Sequence, residues 1–431
     1  MKHIVIIGNG IAGITAARHI RKLSDHRITV ISSETDYFFS RTALMYVYMG
    51  HMKFEHTQPY ENSFWKKNRI ELLNDRVEKI DPGKRALDLR KSGTFTFDTL
   101  IIATGSKPNM FGWPGQDLKG VQGLYSKQDL DLLETHAPDN QTCKRAVIVG
   151  GGLIGIELAE MLSSRNIPVT FLVRESGFWN NVLPEGESNM ITRHIREHHI
   201  DLRLDTSLKE ILSDSQGKVR AVVTDTGEEI PADLCGITAG VRPNIDFLQG
   251  SGIETDRGIL VNDRLETNIP GIYAIGDCAQ LRAPKKGRRP IEAVWYAGRM
   301  MGETLAYHLC KKPTTYNPGP WFNSAKFFDI EYQTYGLVAP ETSENEQHLY
   351  WEDIKAKRAV NIAYDPESEL FLGINTLGLR LSHRHFDQWL REKASVAVVL
   401  SNLEQAGFDP EFYPDFIREI KTQLTQLLKT T

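Results

Sequence analysis

The feature that most constrains this chain is a glycine pattern that occurs twice, each time between an apolar run and a helix-compatible stretch. Ile4-Val5-Ile6-Ile7 leads into Gly8-Asn9-Gly10-Ile11-Ala12-Gly13, a helical stretch from Ile14 to Leu23, and the β-rich run Ile28-Thr29-Val30-Ile31. Ala146-Val147-Ile148-Val149 leads into Gly150-Gly151-Gly152-Leu153-Ile154-Gly155, a helix from Ile156 to about Arg165, and the strand Val169-Thr170-Phe171-Leu172-Val173. Short all-apolar runs suit strands buried on both faces of a parallel sheet. A single Gly-x-Gly-x-x-Gly is weak evidence, and the alternative for either copy is a mere joint between strand and helix. Two copies, each inside a βαβ unit, predict two Rossmann-like folds.

The chemistry behind the pattern is the same in both copies. Gly8 and Gly150 make the tight turn, Gly10 and Gly152 let the backbone approach a pyrophosphate, and Gly13 and Gly155 let helix and strand pack closely. The helix start then offers free N–H groups and a partial positive charge to the phosphates. The chain is therefore expected to hold two dinucleotides.

The totals set outer limits. A length of 431 residues suggests two to four domains. The hydrophobic fraction of 41% and charged fraction of 25% are those of a globular protein. No apolar run reaches the roughly 18 residues needed to span a bilayer, so no integral membrane segment is expected. The opening Met1 to Ile7 reads as a first strand rather than a signal peptide, which makes the cytoplasm the expected location. A net charge of −4 gives no case for a nucleic-acid partner. Cys143, Cys235, Cys278 and Cys310 form no Cys-x-x-Cys pair, so neither a disulfide framework nor a metal site is expected. Beyond Thr315 the texture changes: Pro318, Gly319 and Pro320 mark a boundary, Lys357 to Ala363 and Leu370 to Leu377 read as strands, and the tail after Pro414 reads as an amphipathic helix.

Further segments resemble one family, the FAD/NAD(P) pyridine nucleotide-disulfide oxidoreductases, over residues 1 to about 336. Ile101-Ile102-Ala103-Thr104-Gly105-Ser106-Lys107-Pro108 is similar to the family's exit from the first FAD-binding stretch. Ile237-Thr238-Ala239-Gly240-Val241-Arg242-Pro243-Asn244 is similar to the exit from the nicotinamide domain. Thr267 to Cys278 resembles the second FAD motif, in which the aspartate, here Asp277, bonds the ribityl chain. Trp321-Phe322-Asn323-Ser324 with Gln333 and Gly336 resembles the start of the C-terminal interface domain. The resemblance implies an FAD-binding domain of 1–112 and 245–315, an NAD(P)-binding domain of 113–244, and a C-terminal α+β domain of 316–431.

The resemblance also suggests roles for single residues. Glu34 stands near the end of the second strand, where the family binds the adenosine ribose; an ordinary solvated acid is the alternative. Arg41 lies in a segment whose arginine reaches toward the FAD pyrophosphate, and Glu157 where the family's glutamate approaches the nicotinamide. Arg174 would attract a 2′-phosphate, whereas Glu175 argues the other way, so NADH or NADPH stays open. Thr42 stands where coenzyme A disulfide reductases and NADH peroxidases carry a redox cysteine, and a hydroxyl cannot form a sulfenate or mixed disulfide. Tyr46 falls where ferredoxin reductases place a lysine near the flavin. Lys285-Lys286-Gly287-Arg288-Arg289 reads as a solvated loop or as a docking patch for an acidic carrier, and Arg380, His383, Arg384 and His385 form a second basic group.

The implied reaction is hydride transfer from a nicotinamide to the flavin, which carries the chemistry, followed by electron transfer onward. Three readings fit. In the first the acceptor is a ferredoxin-like or other redox protein, or a quinone-like molecule. In the second it is dioxygen. In the third reading the chain is a redox-sensing flavoprotein. Oligomeric state, a homodimer included, stays open.

Overall fold

The computed structural model describes residues 1–407 and 416–430 and divides the chain into two compact units. The first comprises Met1–Met110, Gln122–Pro138 and Gly240–Pro318. Its centre is a five-stranded sheet in the order Ile272–Ala274, Thr99–Ile102, His3–Ile7, Arg27–Ser32, Ile70–Asn74, parallel throughout. The apolar runs are buried as their composition requires, with Val5, Ile6, Ile31 and Leu100 to Ile102 at 1% exposure or less. The helix Ile11–Leu23 lies against the helix Trp295–Cys310 at close range. A Cβ on Gly302 would come within 2.5 Å of the Ala12 carbonyl oxygen, so that approach depends on glycine.

The second unit comprises Phe111–Val121, Asp139–Ala239 and Gly319–Thr431. It repeats the design with parallel neighbours in the order Asp201–Arg203, Val169–Leu172, Ala146–Val149, Leu234–Ile237. It also holds a five-stranded antiparallel sheet in the order Phe322–Phe327, Ile330–Gly336, Phe371–Leu377, Ala359–Tyr364, Gln347–Glu352. The helices His383–Glu392 and Phe416–Thr430 contribute Phe386, Trp389, Ile420 and Leu424 to the core of that sheet. Two Rossmann-like folds and a C-terminal α+β part are thus present, as the sequence leads one to expect. Pro414, which marks the start of the expected tail helix, lies outside the described residues.

Both helices behind the glycine turns begin earlier than the apolar pattern indicates: at Ile11 rather than Ile14, and at Leu153 rather than Ile156. The last three residues of each Gly-x-Gly-x-x-Gly already form the first helical turn, and glycine there hides the helical period. No helix among the described residues is long and apolar enough to cross a membrane. All four cysteines are free.

Candidate functional site

Four segments of the first unit meet at the carboxyl edge of its parallel sheet, the edge where folds of this kind bind ligands. Gly8 follows its strand with φ +112°, and a Cβ there would sit 2.1 Å from the Ala103 carbonyl oxygen. A Cβ on Gly13 would sit 2.1 Å from the Gly8 carbonyl oxygen. A Cβ on Gly10, by contrast, would meet nothing within 4 Å. The outer glycines are therefore imposed by the protein's own backbone, while the middle one faces open space. Gly10 caps the helix with no side-chain bond, and the first turn holds no acid. Its leading N–H groups are left for an outside acceptor.

The second unit shows the same contrast. Gly150 has φ +116°, and a Cβ on it would lie 2.7 Å from the Thr238 carbonyl oxygen; one on Gly155 would lie 2.5 Å from that of Gly150. One on Gly152 would meet nothing within 4 Å. Gly152 also caps its helix without a side-chain bond, and that first turn is free of acids. Each cradle fits a diphosphate: open at one glycine, closed at two, with an unscreened helix start.

Thr104 and Gly105 leave the strand Thr99–Ile102 beside the first cradle. The Thr104 hydroxyl donates to the Asn244 carbonyl at 2.8 Å, and Gly105 takes φ +65°. Gly240, with φ +83°, starts the returning segment and accepts from the Asn109 N–H at 3.0 Å. Asp277 follows the strand Ile272–Ala274 and is half-buried. Its Oδ2 accepts from the Ser106 hydroxyl at 3.0 Å. Burial pushes its carboxyl up, and the Ser106 bond, Arg41 and the Tyr125 hydroxyl hold it back. Asp277→Ala is expected to purify with most of its flavin lost, whereas Asp277→Asn, which still offers an acceptor oxygen, keeps more. Absorbance at the flavin band relative to protein decides it, and equal flavin content in all three proteins would remove Asp277 from the ribityl contact.

Glu34 and Arg41 are brought together. Arg41 Nη1 and Nη2 donate to Glu34 Oε1 and Oε2 at 2.8 and 2.6 Å, and Nη1 also donates to the Tyr125 carbonyl at 2.6 Å. The Lys127 N–H donates to Glu34 Oε1 at 3.0 Å. Burial works against the Arg41 charge, and the Glu34 carboxylate more than restores it. Four neighbours of this network carry no assigned role in the sequence reading. Asn9 bridges the glycine turn to the second strand, accepting from Ser32 and donating to the Thr35 carbonyl, each at 2.9 Å. Ser106 bonds Asp277, and its N–H donates to the Tyr125 hydroxyl at 3.0 Å. Lys127 opens the helix Lys127–His136, for which the Ser126-x-x-Asp129 capping box is the available sequence signal.

In the second unit, Glu157 lies on the helix Leu153–Ser164. Burial and the neighbouring Glu160 push it up to about 7 against the opposing pull of Lys326. A carboxyl held above its ordinary 4.5 keeps its proton longer in the folded state, so it costs stability as pH rises from about 4.5 to about 7. Glu157→Gln is expected to match the natural protein near pH 5 and to exceed it by roughly 2 kcal/mol above neutrality. Urea midpoints at the two pH values test this; a constant difference would show the group titrates normally. Arg174 is 80% exposed and pairs with Glu175 at 2.9 Å. Thr42 is exposed. Arg288 is withdrawn from the run of charge, because it forms a buried pair with Glu292 at 2.5 and 2.6 Å; Lys285, Lys286 and Arg289 are exposed. Phe322 is partly buried and packs its ring against His383 at 4.5 Å.

The profile of the pyridine nucleotide-disulphide oxidoreductases matches residues 2–302. The chain is 31% identical over 339 residues to the 5,5'-dehydrodivanillate O-demethylase ferredoxin reductase subunit of Sphingobium sp., covering 78% of this chain and 81% of that one. It is 29% identical over 315 residues to the assimilatory nitrate reductase electron transfer subunit of Bacillus subtilis, covering 72% of this chain but only 39% of that longer protein. Among solved structures, a ferredoxin reductase from Rhodopseudomonas palustris superposes with a TM-score of 0.82 at 23% identity, covering 97% of this chain and 99% of that one. At that identity the likeness concerns the fold. The chain belongs to the pyridine nucleotide-disulphide oxidoreductase family, a class of FAD-dependent NAD(P)H oxidoreductases, and FAD and a nicotinamide dinucleotide are its cofactors.

Proposed function

We propose that this protein is an NAD(P)H-dependent electron-transfer reductase that passes electrons to a small redox protein or a quinone-like acceptor. The observation that carries this reading is Thr42, exposed where thiol-dependent relatives place their redox cysteine. The four cysteines stand elsewhere in the sequence, and Cys143, Cys235 and Cys278 are buried with thiols pushed up to between about 11 and 12 by burial. A thiol held protonated is a poor nucleophile. The names of two curated relatives, an electron transfer subunit and a ferredoxin reductase subunit, point the same way.

FAD, when bound, supplies a centre that takes a hydride and gives up single electrons. The chain's own residues bind and orient. The Gly8–Gly13 turn and its helix start would hold the FAD diphosphate, Asp277 the ribityl hydroxyls, and the Glu34–Arg41 pair the adenosine end. The Gly150–Gly155 turn would hold the nicotinamide dinucleotide diphosphate, with Arg174 and Glu175 at the adenosine ribose. Glu157, with its raised pKa, can hold a proton near neutrality and so donate a hydrogen bond to a carboxamide.

The test is to reduce the protein anaerobically and offer acceptors singly. Ferredoxin, rubredoxin or a soluble quinone is expected to reoxidise it much faster than dioxygen, by about tenfold or more. Dioxygen as the fastest acceptor would make the protein an oxidase, and slow reoxidation by all of them would favour a sensing role.

A further inference from the structure

We propose that His194, His198 and Asp329 form a binding site for one divalent first-row transition metal ion, zinc being the ion their chemistry suits. The three residues belong to the second unit and are remote in sequence from both glycine cradles. His194 lies in the last turn of the helix Glu185–Glu197, and His198 caps that helix one turn later. Residues four apart share a helix face, so both imidazoles point the same way. Asp329 comes from the tight turn between the strands Phe322–Phe327 and Ile330–Gly336, where Phe328 takes φ +54°.

The donor atoms converge. His194 Nε2 and His198 Nε2 stand 2.8 and 3.0 Å from the same carboxylate oxygen, Asp329 Oδ1, and one ligand atom from each residue lies within 4.8 Å of the others. Two imidazole nitrogens and one carboxylate oxygen are a ligand set for zinc, which takes them at about 2.0–2.2 Å. The edge of such a tetrahedron is about 3.3 Å, so the carboxylate need withdraw by only about half an ångström. It is free to do so, being 69% exposed on a turn, and that exposure leaves room for water to complete the coordination.

The rings are fixed in advance. His194 is 1% exposed, and its buried Nε2 has no hydrogen bond of good geometry despite its nearness to Asp329. A buried polar atom in that condition calls for an explanation. The His198 ring is clamped by the Phe328 ring, stacked at 4.1 Å and 6° from parallel, and by the His194 ring edge at 4.6 Å. Ligands already locked in place lose little freedom on binding.

The groups behind His194 must rearrange for an ion to bind. Lys357 Nζ is 2.9 Å from His194 Nδ1 and donates to it, which leaves the ring proton on Nε2. To bind an ion at Nε2 that proton must move to Nδ1; Lys357, 40% exposed and paired with Glu197, must turn to solvent, and Glu197 Oε2, 3.7 Å away, must close in to accept the proton. A ring N–H held by a carboxylate is the usual support of a metal-bound histidine. The tautomer changes and Lys357 gives up its contacts with His194 and Glu197, and no oxidant or reductant is needed. The bound ion would fasten the end of the helix Glu185–Glu197 to the turn that bears Asp329.

The test uses untagged, flavin-loaded full-length protein freed of metal by a chelator. Zinc chloride is titrated calorimetrically into it and into His198→Gln and Asp329→Asn, both changed at the solvent side of the cluster so that the fold is kept. The expected result is one zinc ion per chain and a loss of affinity of at least about tenfold in each variant, since even groups behind the ligands are worth about 10–100-fold. Saturating zinc should raise the melting temperature of the natural protein by about 2–4 °C or more, and that of Asp329→Asn by much less. No zinc uptake, or equal uptake by all three proteins, would overturn the proposal and leave the cluster as two histidines beside one carboxylate, with His198 bonded to it.

Discussion

Replacing Gly10 with valine is expected to give a protein that folds normally but purifies without colour. The reason lies in the contrast among the three glycines of the first turn. A side chain on Gly10 meets no protein atom within 4 Å, and its backbone, at φ −72° and ψ −176°, is one any residue adopts. The apoprotein therefore loses only the difference between glycine and valine as a helix cap, about 1 kcal/mol. The space that the side chain fills is where a diphosphate must come close to the backbone. A fall in FAD affinity of at least about a hundredfold, roughly 3 kcal/mol, is expected. Gly8→Ala should behave in the opposite order. Its Cβ would collide with the Ala103 carbonyl at 2.1 Å in a φ region that side chains rarely enter, so the fold fails before binding can be measured. Circular dichroism melts and the ratio of flavin to protein absorbance separate the two cases. A yellow Gly10→Val protein would mean that the diphosphate lies elsewhere.

The second large effect concerns the other cradle. Gly152→Val is expected to keep its flavin and to melt only a few degrees lower, through the same loss of about 1 kcal/mol at a helix cap, while losing reduction by NADH and NADPH, with kcat/KM for either nucleotide down by at least about a hundredfold, roughly 2.7 kcal/mol. Gly152 faces open space as Gly10 does, while Gly150 and Gly155 are hemmed in by backbone at 2.7 and 2.5 Å. The two valine variants together assign the cradles: the first should lose flavin, the second only the nicotinamide response. Chemical reduction by dithionite, which needs no nucleotide site, should still bleach the flavin of Gly152→Val. If that variant is reduced by NADH as fast as the natural protein, the Gly150–Gly155 turn is a structural joint and the nicotinamide binds elsewhere.

How far the sequence speaks depends on the kind of interaction. The parallel strands were legible because Ile4–Ile7 and Ala146–Val149 are uniformly apolar, and burial on both faces of a sheet demands that. The glycine turns were legible because their outer positions, Gly8, Gly13, Gly150 and Gly155, have no room for a side chain. The start of each helix was not, since the glycine at its third position carries no amphipathic signal. Asp277 could be singled out as part of a motif, but its partners could not. Ser106 bonds it across 171 residues, and Tyr125 bonds Ser106 across 19. The Glu34–Arg41 pair likewise depends on a fold that turns the intervening segment back on itself. Lys285 to Arg289 reads as one run of charge, yet Arg288 is drawn inward by Glu292, four residues on, and only the three-dimensional path of the loop decides which cations stay outside. The His194, His198 and Asp329 cluster was missed for the same reason, because its carboxylate comes from a turn far along the chain.

On this reading one chain holds both FAD and a nicotinamide dinucleotide and lets electrons pass from the second to the first. The most direct test is anaerobic stopped-flow mixing of the FAD-loaded protein with NADH and, separately, with NADPH, followed by absorbance of the flavin. Bleaching of the oxidised flavin band by at least one nucleotide is expected, at a rate that saturates with its concentration. A protein that carries FAD yet is bleached by neither nucleotide within minutes would contradict it.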